Sequence, residues 1–537
     1  MSSVPYISAA DLKAQLHDGG EIAVLDAREE WTFGERHLLL ASCVPLSRME
    51  LMVDDLVPRR DTRVVWCDDG EGLAGIAAKR MVALGYSNVS VLDGGVKGWE
   101  AAGYRIYSGV HVPSKAFAEV VEHEAATPYV TAEQIKDFID TKADIAIYDS
   151  RSWEEYHNNS IPTAISVPGA ELVYRFTDLT PSEDTLVIVN CGGRTRSIIG
   201  AQALINAGFK NKIVSMKDGT MAWHLAGFDV VNGATRRPPE VSDAGRAAAF
   251  EGAAKVRALC DVQEIDYATL EEWRRERGTR TLYEIDVRTP EEYEAGHLAG
   301  VRSAPGGQLV QETDSHMAVW GARAVIIDDN GVRATMTASW LKQMGWDVAI
   351  LRMDGLEGAG GALAAGRHVP AALGLEAASE PRISANGLKQ ALDTGGTVVV
   401  DFADSRSFGR GHIPGAWFST RARLKQAFAK LPKADTLVFT SPDGALAGLA
   451  AQDFSQADLP FSIKVLEGGT AAWAAAGLPL EEGQQNMADQ ADDVWLTARE
   501  RGQNREEAMR EYLAWEIDLV NQMATDEDHR FKVAVPG

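Results

Sequence analysis

Cysteine is scarce in this chain of 537 residues: there are four, Cys43, Cys67, Cys191 and Cys260, far apart and with no Cys-x-x-Cys pair. That scatter excludes a disulfide framework and a zinc site built on paired cysteines, and no metal or cofactor is expected. Long apolar runs are missing as well. No stretch approaches the roughly 20 residues a membrane-crossing helix needs, so no membrane partner is expected. Positive charge is in deficit, with 53 Lys and Arg against 77 Asp and Glu and a formal net charge of -24. Such a field repels nucleic acid and anionic lipid, and a small anionic substrate would need a local positive pocket. The opening MSSVPYISAADLKAQL lacks the basic segment and apolar core of a secretory leader, so the expected location is cytoplasmic.

What is present is repetition. At about 100 to 200 residues per domain the chain needs several cores. One unit recurs four times: IAVLDAREEWTFGERH, IAIYDSRSWEEYHNNS, LYEIDVRTPEEYEAGH and VVVDFADSRSFGRGH. With Asp26, Asp149, Asp286 and Asp401 superposed, His37, Ser160, His297 and His412 all fall eleven residues later. Each copy continues with a second apolar strand (TRVVWC, TLVIVNC, ARAVIID, TLVFTS), a loop, a helix and a third strand. The closing signatures are VLDGGVKGWEAAGY, SMKDGTMAWHLAGF, ILRMDGLEGAGG and VLEGGTAAWAAAGL. Short buried-type strands alternating with helices predict an α/β fold, four small parallel sheets flanked by helices. The boundaries read 1–112, 113–240, 241–378 and 379–485, with linkers near Arg236 and Glu380 and a helical tail over 486–537. In that tail Met509, Tyr512, Leu513, Trp515 and Ile517 form a mixed apolar stripe, read as a helix docking on its own chain and the place for a possible homodimer contact.

The second copy carries the chemistry. Its strand TLVIVN delivers Cys191 into CGGRTRS, and ligands in open α/β sheets bind beyond such strand ends. Gly192 and Gly193 would let the loop curl into an anion-binding nest at a helix N-terminus, with Arg194 and Arg196 adding full charge. Together these predict a thiol pKa below the free value of about 8.5, giving a nucleophilic thiolate.

The Cys-x4-Arg loop and the four repeats resemble the rhodanese (thiosulfate:cyanide sulfurtransferase) family, over nearly the whole chain to about residue 485. In that family a six-residue loop encloses a cysteine persulfide, whereas phosphatase-like relatives use a loop one residue longer. The resemblance implies that Cys191 accepts the outer sulfur of thiosulfate and passes it to a thiophilic acceptor such as cyanide or a thiol. An organic-persulfide or thiol-dependent sulfur carrier, or a scaffold whose degenerate repeats bind a partner, are the alternative readings. Arg194 and Arg196 would hold the sulfonate oxygens, and Gly193, Thr195 and Ser197 would offer N–H groups to the sulfur. Arg175, in VPGAELVYR, is expected to reach the pocket mouth.

The other copies depart from this pattern. Asp328 and Ser441 stand where a thiol is needed, and the first copy keeps Cys67 but surrounds it with Asp68, Asp69 and Glu71. One active repeat and three inactive ones follow. The Asp-x-Arg pairs are read as structural, Trp99, Trp223 and Trp473 as core, and the repeats as packing first with second and third with fourth.

Overall fold

The computed structural model describes residues 4–354, 362–375 and 380–536. Part of the third closing signature and of the linker near Glu380 therefore lies outside the described residues. Each repeat builds one small sheet on a common plan. In repeat 2 the strand order is Tyr129–Val130, Ile213–Met216, Leu186–Asn190, Ile145–Asp149 and Ile165–Ser166, every pairing parallel. Repeat 3 repeats it with Gln263–Glu264, Asp347–Arg352, Arg323–Asp328, Leu282–Asp286 and Arg302–Ser303. Repeat 4 uses Arg382–Ile383, Ser462–Leu466, Thr436–Thr440, Thr397–Asp401 and Trp417–Phe418. In repeat 1 the same places are taken by Tyr6–Ile7, Val89–Leu92, Arg63–Cys67, Ile22–Asp26 and Ala41–Cys43. The central strands are mostly apolar because helices cover both faces, with buried polar residues gathered chiefly at their carboxyl ends. No helix among the described residues is long and apolar enough to cross a membrane.

Conserved offsets become repeated contacts. Asp26–Arg28, Asp149–Arg151 and Asp286–Arg288 are buried ion pairs at 2.6–2.7 Å. Each arginine also donates to a backbone carbonyl eight residues on: Arg36 O, Asn159 O and Gly296 O. The pair thus ties the strand end to the end of the next helix. That helix starts on a capping box in repeats 2 and 3, Ser152 with Glu155 and Thr289 with Glu292. Trp99, Trp223 and Trp473 are each 1% exposed and donate from Nε1 to the carbonyl six residues later.

The repeats do not pair as the sequence order suggests. One compact unit comprises Met1–Leu12, Ala23–Val110 and Pro370–Leu496, joining repeats 1 and 4. The other comprises Lys13–Ile22, His111–Val369 and Thr497–Gly537, joining repeats 2 and 3 with the tail. In the first unit Arg421, 5% exposed, sits between Glu50 at 2.7 Å and Asp453 at 2.8 Å. In the second a pseudo-twofold exchange holds the repeats together. Arg196 donates to Gln308 Oε1 at 3.0 Å while Arg333 donates to Glu171 Oε1 at 2.8 Å, and Glu171 and Gln308 each lie 22 residues after Asp149 and Asp286. Gly307 meets Gly169 so closely that a Cβ on it would stand 3.1 Å from the Gly169 nitrogen. Helix Asp243–Cys260, small-residue on its inner face, packs on helices Glu171–Leu179 and Val332–Gln343 from both repeats.

Removing one member of a buried pair leaves an uncompensated charge, at a cost of about 3 to 5 kcal/mol. Asp149→Ala should therefore lower the urea midpoint of the unit that contains it by far more than Asp140→Ala. The latter breaks only the exposed Lys136–Asp140 pair, worth about 0.3 to 0.5 kcal/mol. Equal shifts in fluorescence-monitored unfolding would contradict the structural role of the Asp-x-Arg pair.

Candidate active site around Cys191

Strand Leu186–Asn190 ends one residue before Cys191, and helix Thr195–Asn206 begins four residues after it. The thiol is 2% exposed and lies 3.5 Å from Ser197 Oγ, which itself donates to Arg194 O at 2.8 Å. Neither Gly192 nor Gly193 has a positive φ, so the loop does not depend on their left-handed freedom. The glycine that the loop requires is Gly219, at φ +54, where a Cβ would fall 2.5 Å from Cys191 O and 2.6 Å from Gly193 O. From the same turn Thr220 N–H donates to Cys191 O at 2.9 Å and Met221 N–H to Gly192 O at 3.1 Å.

Those bonds fix the register of the other loops. Val96, Thr220, Met353 and Thr470 donate from N–H to the carbonyls of Asp68, Cys191, Asp328 and Ser441. Ala27, Ser150, Val287 and Phe402 donate to those of Cys67, Asn190, Ile327 and Thr440. Asp68, and not Cys67, therefore stands at the position of Cys191 in repeat 1. Cys67 occupies the place of Asn190. Its thiol points to Asp26 Oδ2 at 3.7 Å, as Asn190 Nδ2 donates to Asp149 Oδ2 at 3.1 Å. Burial and then Asp26 push that thiol well above the usual range.

In three repeats a side-chain oxygen fills the loop. Asp68 accepts from Gly70 and Ala74 N–H at 2.9 Å each, Asp328 from Gly331 at 2.5 Å and Ala334 at 3.1 Å, and Ser441 from Gly444 at 3.1 Å and Ala447 at 3.3 Å. Only repeat 2 presents sulfur there.

The expected roles of the arginines change. Arg194, 4% exposed, is held by Glu119 at 2.6 and 2.8 Å, by Asp218 at 2.8 Å and by Glu122. Three carboxylates occupy it, and it is not free for a sulfonate. Two of them come from helix Val112–Ala125, far upstream of the loop. Arg196 pairs with Glu155 at 2.6 and 2.7 Å; burial works to raise the Glu155 carboxyl, but Arg196 with Arg151 brings it down to about 2. Arg175 does not turn to the loop: it donates to Glu171 at 2.6 Å and to Pro239 O at 3.2 Å. Thr195 spends its hydroxyl on Glu516 Oε1 at 2.7 Å.

The thiol pKa also runs against expectation. Burial pushes the Cys191 thiol up, and Arg196 with the Ser197 hydroxyl and backbone N–H offsets only part of that rise. Removing the thiolate from water outweighs one nearby cation that is already shared with Glu155.

Residues of the tail complete the surroundings. Arg499 donates to Asn159 Oδ1 at 2.7 Å, to Gly192 O at 3.4 Å and to Thr220 Oγ1. From helix Arg505–Met523, Tyr512 and Glu516 lie so close to Gly193 that a Cβ there would meet both at 3.3 Å. Met509 and Leu513 of that helix pack with Met221. Burial raises the Glu516 carboxyl while Lys115 opposes the rise. The apolar stripe at Met509 and Leu513 was visible in the sequence, but its polar neighbours carried no sign of their destination. Among the described residues no group of three or more His, Cys, Asp or Glu is arranged to hold a metal ion.

A thiol held above its ordinary pKa yields more thiolate as pH rises through and beyond the usual thiol range. Alkylation of Cys191 by iodoacetamide, read as the difference between the parent and Cys191→Ser, should still be accelerating at pH 9, and Arg196→Gln should move the profile to higher pH. A plateau below pH 8 would show that the loop's positive groups outweigh burial.

A family model for the rhodanese-like domain matches residues 8–102, 131–226, 269–357 and 384–476. A crystal structure of a thiosulfate sulfurtransferase from Pseudomonas aeruginosa is 45% identical, with a TM-score of 0.93 over 99% of this chain and 100% of that one. Among curated proteins, one from Bacillus subtilis named as a candidate sulfur carrier is 28% identical over 102 residues, 19% of this chain and 54% of that protein. An HTH-type transcriptional regulator from Mycobacterium tuberculosis is 32% identical over 91 residues, 17% of this chain and 39% of that protein. The chain thus spans about half or less of the length of these curated relatives. With four matched segments and a near-complete structural counterpart, the chain belongs to the rhodanese family.

Proposed function

We propose that the chain is a thiosulfate sulfurtransferase with one working site, Cys191, and three loops closed by their own oxygens. The observation that carries this reading is the register: of the four equivalent strand-end positions, only that of repeat 2 holds a nucleophilic sulfur. The 45% identity to the thiosulfate sulfurtransferase structure along the whole chain supports thiosulfate as donor.

The reaction needs no cofactor. The Cys191 thiol loses its proton to solvent, and Sγ attacks the outer sulfur of thiosulfate. A new S–S bond forms, the bond to the sulfonate sulfur breaks, and its electron pair departs with sulfite. Sulfite is already a stable anion, so no general acid is required. Cyanide carbon, or an acceptor thiolate, then attacks the outer sulfur and releases thiocyanate, or an acceptor persulfide, with Cys191 as leaving thiolate. The N–H groups of the Cys191–Ser197 loop and the Arg196 charge are fixed before the anion forms, which is how a buried site lowers the barrier. An organic persulfide as donor would use the same two steps, with a thiolate in place of sulfite as leaving group.

Intact-mass spectrometry after thiosulfate treatment should show a gain of about 32 Da in the parent, lost on adding cyanide, and no gain in Cys191→Ser. Cys67→Ser should load like the parent. A gain that survives in Cys191→Ser would refute the assignment, and loading by a cysteine persulfide but never by thiosulfate would transfer the donor role to organic persulfides.

A further inference from the structure

The arginines that repeat 2 itself brings toward the thiol are spoken for. Arg194 is shared by Glu119, Glu122 and Asp218, Arg196 is bidentate to Glu155, and Arg151 is bidentate to Asp149. Lys115 is buried against the Tyr512 and Trp515 rings, 5.5 and 5.4 Å from their centroids, with Glu516 close by. A dianionic donor would therefore meet three arginines already paired with carboxylates. Arg499 is different. It reaches Gly192, the residue beside the thiol, and its donors go to an amide oxygen, a carbonyl and a hydroxyl, with no carboxylate of the described residues in ion-pair range.

We propose that Arg499, supplied by the C-terminal segment 307 residues after Gly192, is the cation that binds the sulfonate end of the sulfur donor. The inference rests on the sulfurtransferase reading and adds to it the group that recognises the donor. A guanidinium offers a planar fork that two sulfonate oxygens can accept, and hydrogen bonds to charged groups are stronger than those to the neutral oxygens it now holds. Burial, then repulsion from Arg151, lowers the Arg499 guanidinium to about 10, while the Glu155 carboxylate, Cys191 in its anionic form and Asp149 pull it back up. A bound anion would do the same. The site is then shared between the repeat 2 loop and the tail, and donor binding depends on the tail's being docked.

The test uses the full chain with thiosulfate as probe. In a Cys191→Ser background, which cannot react, isothermal titration should give a thiosulfate Kd raised about 10- to 100-fold by Arg499→Gln and largely restored by Arg499→Lys, the scale of one charge-assisted contact. In the reactive chain Arg499→Gln should raise the thiosulfate KM by at least about tenfold, while cyanide discharges a preformed Cys191 persulfide at a rate within about twofold of the parent. Unchanged urea midpoints show that the variants are folded. Equal affinity with and without Arg499, or no thiosulfate binding to Cys191→Ser, overturns the inference. Binding lost with Arg499→Gln in a chain that never gains sulfur would instead fell the transfer reading and leave the anion site standing.

Discussion

At the carboxyl end of the second strand in repeats 1, 3 and 4, backbone N–H groups from the loop and the first helical turn converge on one position, and in repeat 2 the Ser197 N–H faces the Cys191 thiol at the equivalent point. Buried donors left without an acceptor cost about 1 to 3 kcal/mol each, so something electron-rich must sit there. Asp68, Asp328 and Ser441 each accept two such bonds. Their loops are complete without a ligand. Cys191 brings a weak acceptor to the same point, and a persulfide anion would satisfy the loop better than the resting thiol does. One fold thereby yields three self-filled loops and one that presents a thiol.

The charges around the thiol follow from the same economy. In a chain of net charge -24 the cations near Cys191 are mostly bound to carboxylates, and their positions are set by structure as much as by chemistry. Arg196 illustrates this: it caps no anion alone, but joins Glu155 in its own repeat to Gln308 in the next. Arg333 makes the matching bridges to Glu292 and Glu171 in a repeat whose strand end carries Asp328. The arginine in Cys-x4-Arg thus holds repeats 2 and 3 together, and its effect on the thiol is what remains after that pairing.

Much of this was legible in the sequence. The four repeats, the thiol at a strand end, the Asp-x-Arg pairs and the closing tryptophans all depend on contacts a few residues apart, and short offsets survive in a linear reading. The register of repeat 1 did not survive it: Cys67 attracts an alignment because it is a cysteine, whereas the hydrogen bonds of Val96 and Ala27 place it one residue early. The engagement of Arg194 depends on Glu119, 75 residues away, and the pairing of repeats on exchanges between loops of different copies. Arg499, Tyr512 and Glu516 reach the loop from the tail, and no local pattern announces that. The thiol pKa was misjudged for a related reason. Charge is visible in a sequence, but the depth of burial that opposes it is not.

The central claim, that the strand-end cradle holds a transferable sulfur in repeat 2 alone, is tested most directly by diffraction from thiosulfate-treated crystals. The account predicts one additional sulfur peak, about 2 Å from Cys191 Sγ and within the ring of loop N–H groups, with the Asp68, Asp328 and Ser441 loops unchanged. Sulfur on Cys67, or on Cys191 but directed away from the loop amides, would contradict it.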